Sequence, residues 1–177
     1  MSGLPRRLQA LLHSQAYPHP VQSVELVETH ISWVLLTGTW AYKIKRPVRY
    51  SFVDLRSLEH RTFLCQEEVR LNRRFAPDLY DSVCPVTAAK GGVRMGGVGE
   101  AIEHAVKMRQ FRREDQFDRL LDAGRIEPRE LEGFGRNLAV IHRQLPPAAP
   151  GQKWGEPGAI RAVVLDNHSQ CARAAKV

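Results

Sequence analysis

AYKIKRPV, the run from Ala41 to Val48, alternates in side-chain character from one residue to the next. On a strand, Ala41, Lys43 and Lys45 share one face while Tyr42 and Ile44 take the other, because successive side chains point to opposite sides. Pro47 closes the strand, since it has no N–H to give to a ladder. Upstream, Val24, Leu26, Val27, Ile31, Trp33, Val34, Leu35, Leu36 and Trp40 are β-branched, aromatic or aliphatic, and Thr37-Gly38-Thr39 interrupts them with turn chemistry. Three strands are predicted, at roughly 23–29, 31–37 and 40–46. Farther upstream, Leu4, Leu8, Leu11 and Leu12 recur at helical spacing behind Pro5, and Pro18 and Pro20 end that segment.

Downstream of the strand the period changes. A helix is predicted over about 58–75: Ser57 caps it, Glu59 lies in its first turn, Arg73 and Arg74 in its last, and Ala76-Pro77 stops it. Leu64, Glu68, Leu71 and Phe75 are spaced by four, three and four residues, which sets Glu68 within the apolar stripe. A carboxylate on a buried face needs a partner, because breaking a buried ion pair costs about 3–5 kcal/mol. A lysine from the neighbouring sheet face, Lys43 or Lys45, meets that need. The same spacing also fits a Glu68 at the stripe's edge reaching water, with both lysines on a solvated sheet face. Glu67 points away from the stripe, toward solvent.

From Ser82 to Phe111 the strand pattern returns, with strands at 83–87 and 101–108 and a short one within Gly91–Gly97 between turns. Beyond Phe111 the chain reads as helical. Phe117, Leu120 and Leu121 mark a short helix ending near Gly124, and Leu131, Phe134, Leu138, Ile141 and Leu145 the stripe of a longer one. Residues 146–151, PPAAPG, form a linker, and 165–176 can start a helix with no clear stop. The fold class is therefore α+β, a curved antiparallel sheet on one long helix followed by helices, divided into an N-terminal helix (1–20), a sheet-rich lobe (21–109) and a helical segment (110–177).

Composition narrows the function classes. With 26 basic and 19 acidic residues the chain carries a formal charge of +7, which favours anionic partners. Its basic pairs, Arg6–Arg7, Arg73–Arg74 and Arg112–Arg113, are scattered and lack interleaved aromatics, so nucleic acid is not the expected partner. No apolar run reaches the roughly 18–20 residues that span a bilayer, and no membrane partner is expected. The three cysteines show no CxxC spacing, which reads as reduced thiols and a cytoplasmic location. The seven histidines form no HExxH, so no metal site is expected, and Cys65 and His142 read as structural.

Four runs in order, ETHISWVLLTG (28–38), AYKIKRPV (41–48), EEVRLNRRFAPDLY (67–80) and HAVKMRQF (104–111), resemble the bacterial aminoglycoside-phosphotransferase-like family, over about residues 20–170. Some members of that family carry a P-loop kinase domain downstream. The resemblance implies a protein-kinase-like N-terminal lobe, ATP as cofactor and an unspecified phosphate acceptor. It makes Lys43 the phosphate-contacting lysine, with Lys45 the alternative, and Glu68 its helix partner. Met108, Arg109 and Gln110 would be the hinge that meets adenine. Thr29, His30 and Ser32 would form the turn over the phosphates, or else an ordinary hairpin.

Departures from that family bound the expectation. No GxGxxG lies between the first strands, and the glycines from Gly91 to Gly99 open no helix. The HGD-type catalytic loop and the metal-binding aspartate have no counterpart. His142 precedes Arg143-Gln144, His168 precedes Ser169-Gln170, and Asp166 is followed at once by Asn167. The chain is read as a truncated or incomplete member with no catalytic residue of its own, binding nucleotide at most. Mg is expected only in a complete member, and self-association through an exposed lobe interface follows. The alternatives are a pseudokinase-like regulatory or interaction module and, less favoured, a basic nucleic-acid-binding protein.

Overall fold

A computed structural model describes residues 3–89, 92–149, 151–152 and 155–175. Gly91 of the glycine-rich stretch, Pro150 of the linker and Lys176 of the tail lie outside the described residues. The chain divides into two compact units, Met1–Glu132 and Gly133–Val177.

In the first unit, six strands among the described residues form one antiparallel sheet. They are β1 (Glu25–Glu28), β2 (Ser32–Leu36), β3 (Trp40–Lys45), β6 (Tyr80–Ala89), β7 (Gly92–Met95) and β8 (Ala101–Arg109), in the order β1-β2-β3-β8-β6-β7. The sheet is curled into a half-barrel. The three leading strands fall where β-branched residues and the Thr37-Gly38-Thr39 turn put them; Gly38 takes a φ of +91°, a conformation that favours glycine. A hairpin that the sequence pattern does not announce follows Pro47: β4 (Arg49–Tyr50) pairs with β5 (Val53–Asp54).

Helix α1 (Leu58–Asn72) packs on one face of the sheet. The Ser57 side chain accepts a hydrogen bond from His60 N at 3.1 Å, and Glu59 lies in the first turn, as its sequence signals require. Its buried face is not the one the apolar spacing predicts. Arg61, Cys65 and Val69 are buried, whereas Leu71 and Phe75 are 41% and 52% exposed. The stripe is turned because Cys65 and Val69 meet Val106 of β8, with Val83 and Met108 packed around them. Glu68 borders this face.

On the opposite face lies the main core. The segment predicted as an N-terminal helix is a 3-10 helix, Arg6–Leu12, followed by a second short one, Ser14–Ala16. Leu4, Leu8, Leu11 and Tyr17 pack there with Trp33, Leu35, Tyr42 and Ile44. Burial of leucines holds this segment in place of a long i→i−4 ladder, which so short a piece cannot sustain alone. After β8 come α2 (Phe117–Asp122), which ends before Gly124, and α3 (Pro128–Gln144). Taken by itself, the second unit holds the rest of α3 and α4 (Pro157–Ala174). That last helix starts eight residues before the predicted 165, with Pro157 in its first turn.

Candidate functional site

Lys43 and Lys45 project from β3 onto the face that α1 covers, and Glu68 projects from α1 to meet them. Lys43 Nζ lies 2.9 Å from Glu68 Oε1, and Lys45 Nζ lies 2.7 Å from Oε2. The carboxylate is thus held by both lysines that the strand parity singled out, and the reading with a solvated Glu68 is excluded. Burial pushes the Glu68 carboxyl toward a higher pKa. The hydrogen bond from Lys45, then the charge of Lys43 and its hydrogen bond, outweigh that and hold it below the ordinary glutamate value. The same helix is fixed against β8 by Thr62 Oγ1, 2.9 Å from His104 Nδ1.

Beside Lys43 opens a cleft of about 570 Å³. Val27, Val34, Leu36, Ala41, Leu79 and Met108 give it apolar walls, and Lys43, Arg109, Arg113 and Arg119 line it with cations. Register explains the assembly: Val34 is opposite both Val27 and Lys43, and Ala41 is opposite both Leu36 and Met108, so these side chains share one face. Two further depressions, of about 540 and 530 Å³, are each walled by one short segment within 49–60. They carry no comparable convergence of strand, helix and cations. The arginines of the cleft already have partners. Arg109 stacks 4.1 Å from the Trp40 ring centroid, and Arg113 pairs with Glu25. A polyanion would have to draw them away.

The remaining residues that sequence reasoning named fall in different places. Met108 and Gln110 line the cleft. The N–H of Arg109 donates to Leu79 O at 2.8 Å and that of Gln110 to Thr39 O at 3.0 Å, while Gln110 Oε1 accepts from Gly38 N at 2.8 Å. Those two N–H groups are therefore engaged within the protein. Ser32 is not on the cleft wall. It is fully buried, opposite Lys45 in the β2–β3 register, and its N–H donates to Thr29 Oγ1 at 2.9 Å. Thr29 N donates to Ser32 O at 2.9 Å, Arg46 reaches Thr29 O at 2.7 Å, and Tyr50 OH donates to His30 O. Backbone groups of the β1–β2 turn and the Thr29 hydroxyl are thus engaged in holding the hairpin, while the buried Ser32 hydroxyl has no hydrogen-bond partner among the described residues.

Sequence reasoning missed a second ionic centre. Glu103 on β8 is fully buried and receives Arg61 through both oxygens, Nε to Oε2 at 3.0 Å and Nη2 to Oε1 at 2.5 Å, with Arg7 at 2.7 Å. Arg61 also donates to the carbonyls of Leu55 and Arg56. This triad ties the N-terminal segment and the start of α1 to β8. The signal was available: Glu103 shares the parity of Ala101 and Ala105 in an apolar strand, where a carboxylate calls for a cation.

The chain matches no protein-family profile and no solved structure. Over 145 residues, 80% of the chain, it is 30% identical to uncharacterized proteins of Mycobacterium tuberculosis (two strains) and Mycobacterium bovis. The match covers 28% of those relatives, so the chain spans little more than a quarter of their length.

Proposed function

We propose that the chain forms the nucleotide-binding lobe of a kinase-like phosphotransferase of the aminoglycoside-phosphotransferase-like type, with ATP in the cleft and its phosphates toward Lys43. The observation that carries this reading is the pair itself. A lysine on the third strand is held 2.9 Å from a glutamate on the helix that follows, at the wall of a cleft. Protein kinases hold their phosphate-contacting lysine in that arrangement. A volume of about 570 Å³ falls within the range of small-molecule sites, and apolar walls of valine, leucine, alanine and methionine suit a planar base. With the Arg109 and Gln110 N–H groups engaged, recognition of the base rests mainly on those walls.

Transfer would require a positioned aspartate and metal ligands, which supply most of the charge stabilisation in phosphoryl transfer. Residues 1–177 contain no HGD segment, so the activity proposed for this chain is binding. Among the described residues, no helix is long and apolar enough to cross a membrane.

Thermal denaturation tests the reading. At a hundredfold excess over its Kd, Mg-ATP is expected to raise the midpoint by about 5–10 °C. Lys43→Ala is expected to abolish the shift while remaining folded. No shift in the wild type, with salt-sensitive DNA binding in its place, would point to the basic surface as the functional feature.

A further inference from the structure

Apolar walls hold a flat ring, but they do not tell one base from another. Directional contacts do that, and the N–H groups of Arg109 and Gln110 are already given to Leu79 O and Thr39 O. The Gln110 side chain remains. Its backbone bond to Thr39 O carries the β3–β8 ladder one residue past the Trp40–Arg109 pair, so Gln110 shares the side of Met108 and the cleft that both line. Its carboxamide is tethered there, with Oε1 accepting the N–H of Gly38, 72 positions away, at 2.8 Å. A backbone N–H can meet only the oxygen end of an amide. The two ends are therefore assigned, and the NH2 group is the one left for a ligand. We propose that Gln110 reads the base in the cleft through this amide N–H, and that it selects adenine over guanine. This rests on the nucleotide-binding reading of the cleft and leaves the Lys43–Glu68 pair intact.

The physical reason is donor–acceptor matching in a poorly solvated place. A fixed donor needs an acceptor opposite it. The pairing edge of adenine offers a ring-nitrogen acceptor beside one amino group, whereas that of guanine offers one carbonyl beside two N–H-bearing groups. Against walls of valine, leucine, alanine and methionine, those extra donors find no acceptor. A polar group enclosed without a partner gives up its bonds to water and gains none. A site that offers the base one donor thus discriminates against the base that brings more donors. Gln116 also lines the cleft, but it is exposed and its carboxamide is open to water. Gly38 acts through Gln110 as a positioning residue, since its N–H decides which end of the amide faces the ligand.

Isothermal titration of the full chain with Mg-ATP and with Mg-GTP tests this. The proteins are wild type, Gln110→Glu and Gln110→Leu, each checked for folding by circular dichroism. Both nucleotides carry the same triphosphate, so the ratio of their dissociation constants cancels the effect of the added charge. Wild type is expected to bind ATP about tenfold more tightly than GTP. Gln110→Glu keeps an oxygen for the Gly38 N–H but turns an acceptor toward the base, and is expected to move the ratio by at least about tenfold toward GTP. Gln110→Leu, with neither group, is expected to bring the two nucleotides within about twofold of each other. A glutamine that only braced the β2–β3 turn would weaken both nucleotides alike, and an unchanged ratio in either folded variant overturns the proposal. So does a wild type that binds GTP as tightly as ATP, a result that needs no variant to fold. If the wild type binds neither nucleotide, the nucleotide reading fails and this inference with it. If it binds and the ratio does not follow residue 110, the inference alone fails.

Discussion

At the scale of single residues, two glutamates set the terms, one half-buried and one fully buried. Glu68 has a pKa held below the ordinary value, with burial opposing and the two lysines prevailing. A depressed folded-state pKa stabilises the fold above the unfolded value, about 4.3 for glutamate, and that stabilisation is lost as the pH falls through the folded value. Glu68→Gln is therefore expected to lose stability at pH 7. The gap to wild type should narrow in urea titrations repeated below about pH 4. A gap independent of pH would contradict the ion pairing. Glu103 is buried more completely, against an Arg61 only 4% exposed. Glu103→Gln leaves that guanidinium without its counter-ion and is expected to cost about 3–5 kcal/mol. Arg7, with half its side chain in water, is expected to contribute about 1 kcal/mol or less by the same urea measurement.

At the scale of elements, the sheet is covered on both faces by pieces of different kinds. Helix α1 forms by its own signals, a serine cap and an acidic first turn, and carries Glu68 to the strand lysines. The N-terminal 3-10 segment forms by burial, with Leu8 and Leu11 fully enclosed. Leu8→Ala is expected to cost about 2–5 kcal/mol, since a cavity opens in the main core, where Leu8 is fully buried. Differential scanning calorimetry should show this as a lower midpoint, with little change in anion affinity, because that face of the sheet is opposite the cleft. Helix α3 behaves otherwise: none of its residues is buried, and Phe134 is 65% exposed. Its apolar spacing makes a face of Leu131, Phe134, Leu138, Ile141 and Leu145.

At the scale of the whole molecule, exposed apolar side chains on the last helices and a formal charge of +7 act against each other. Val163 and Val164 of α4 are 61% and 59% exposed. Such surface tends to associate or to bind hydrophobic dyes, while net charge opposes association less as salt rises. Light scattering is expected to show concentration-dependent association that strengthens with salt. Phe134→Lys and Val163→Lys together should weaken it. A monomer that binds no dye at high salt would contradict this.

Local rules were enough for much of the fold. Turn chemistry, β-branched runs and helix caps located β1 to β3, α1 and β8, because each depends on backbone preferences within a few residues. Strand parity set Lys43 and Lys45 on one face, and the cost of an unpaired carboxylate made them the candidate partners of Glu68, although the helical stripe that argument started from is not the buried face of α1. What they left undecided was everything set by which surface meets which. The face of α1 that is buried was fixed by Val106 across the sheet and not by the largest apolar residues in the helix. Ser32 was enclosed by register opposite Lys45, and the Arg7–Glu103–Arg61 triad joins residues 96 and 42 positions apart. The unequal exposure of Lys43 and Lys45 is of the same kind. Two lysines of the same parity are alike in sequence, and only the cleft wall beside one of them makes the difference.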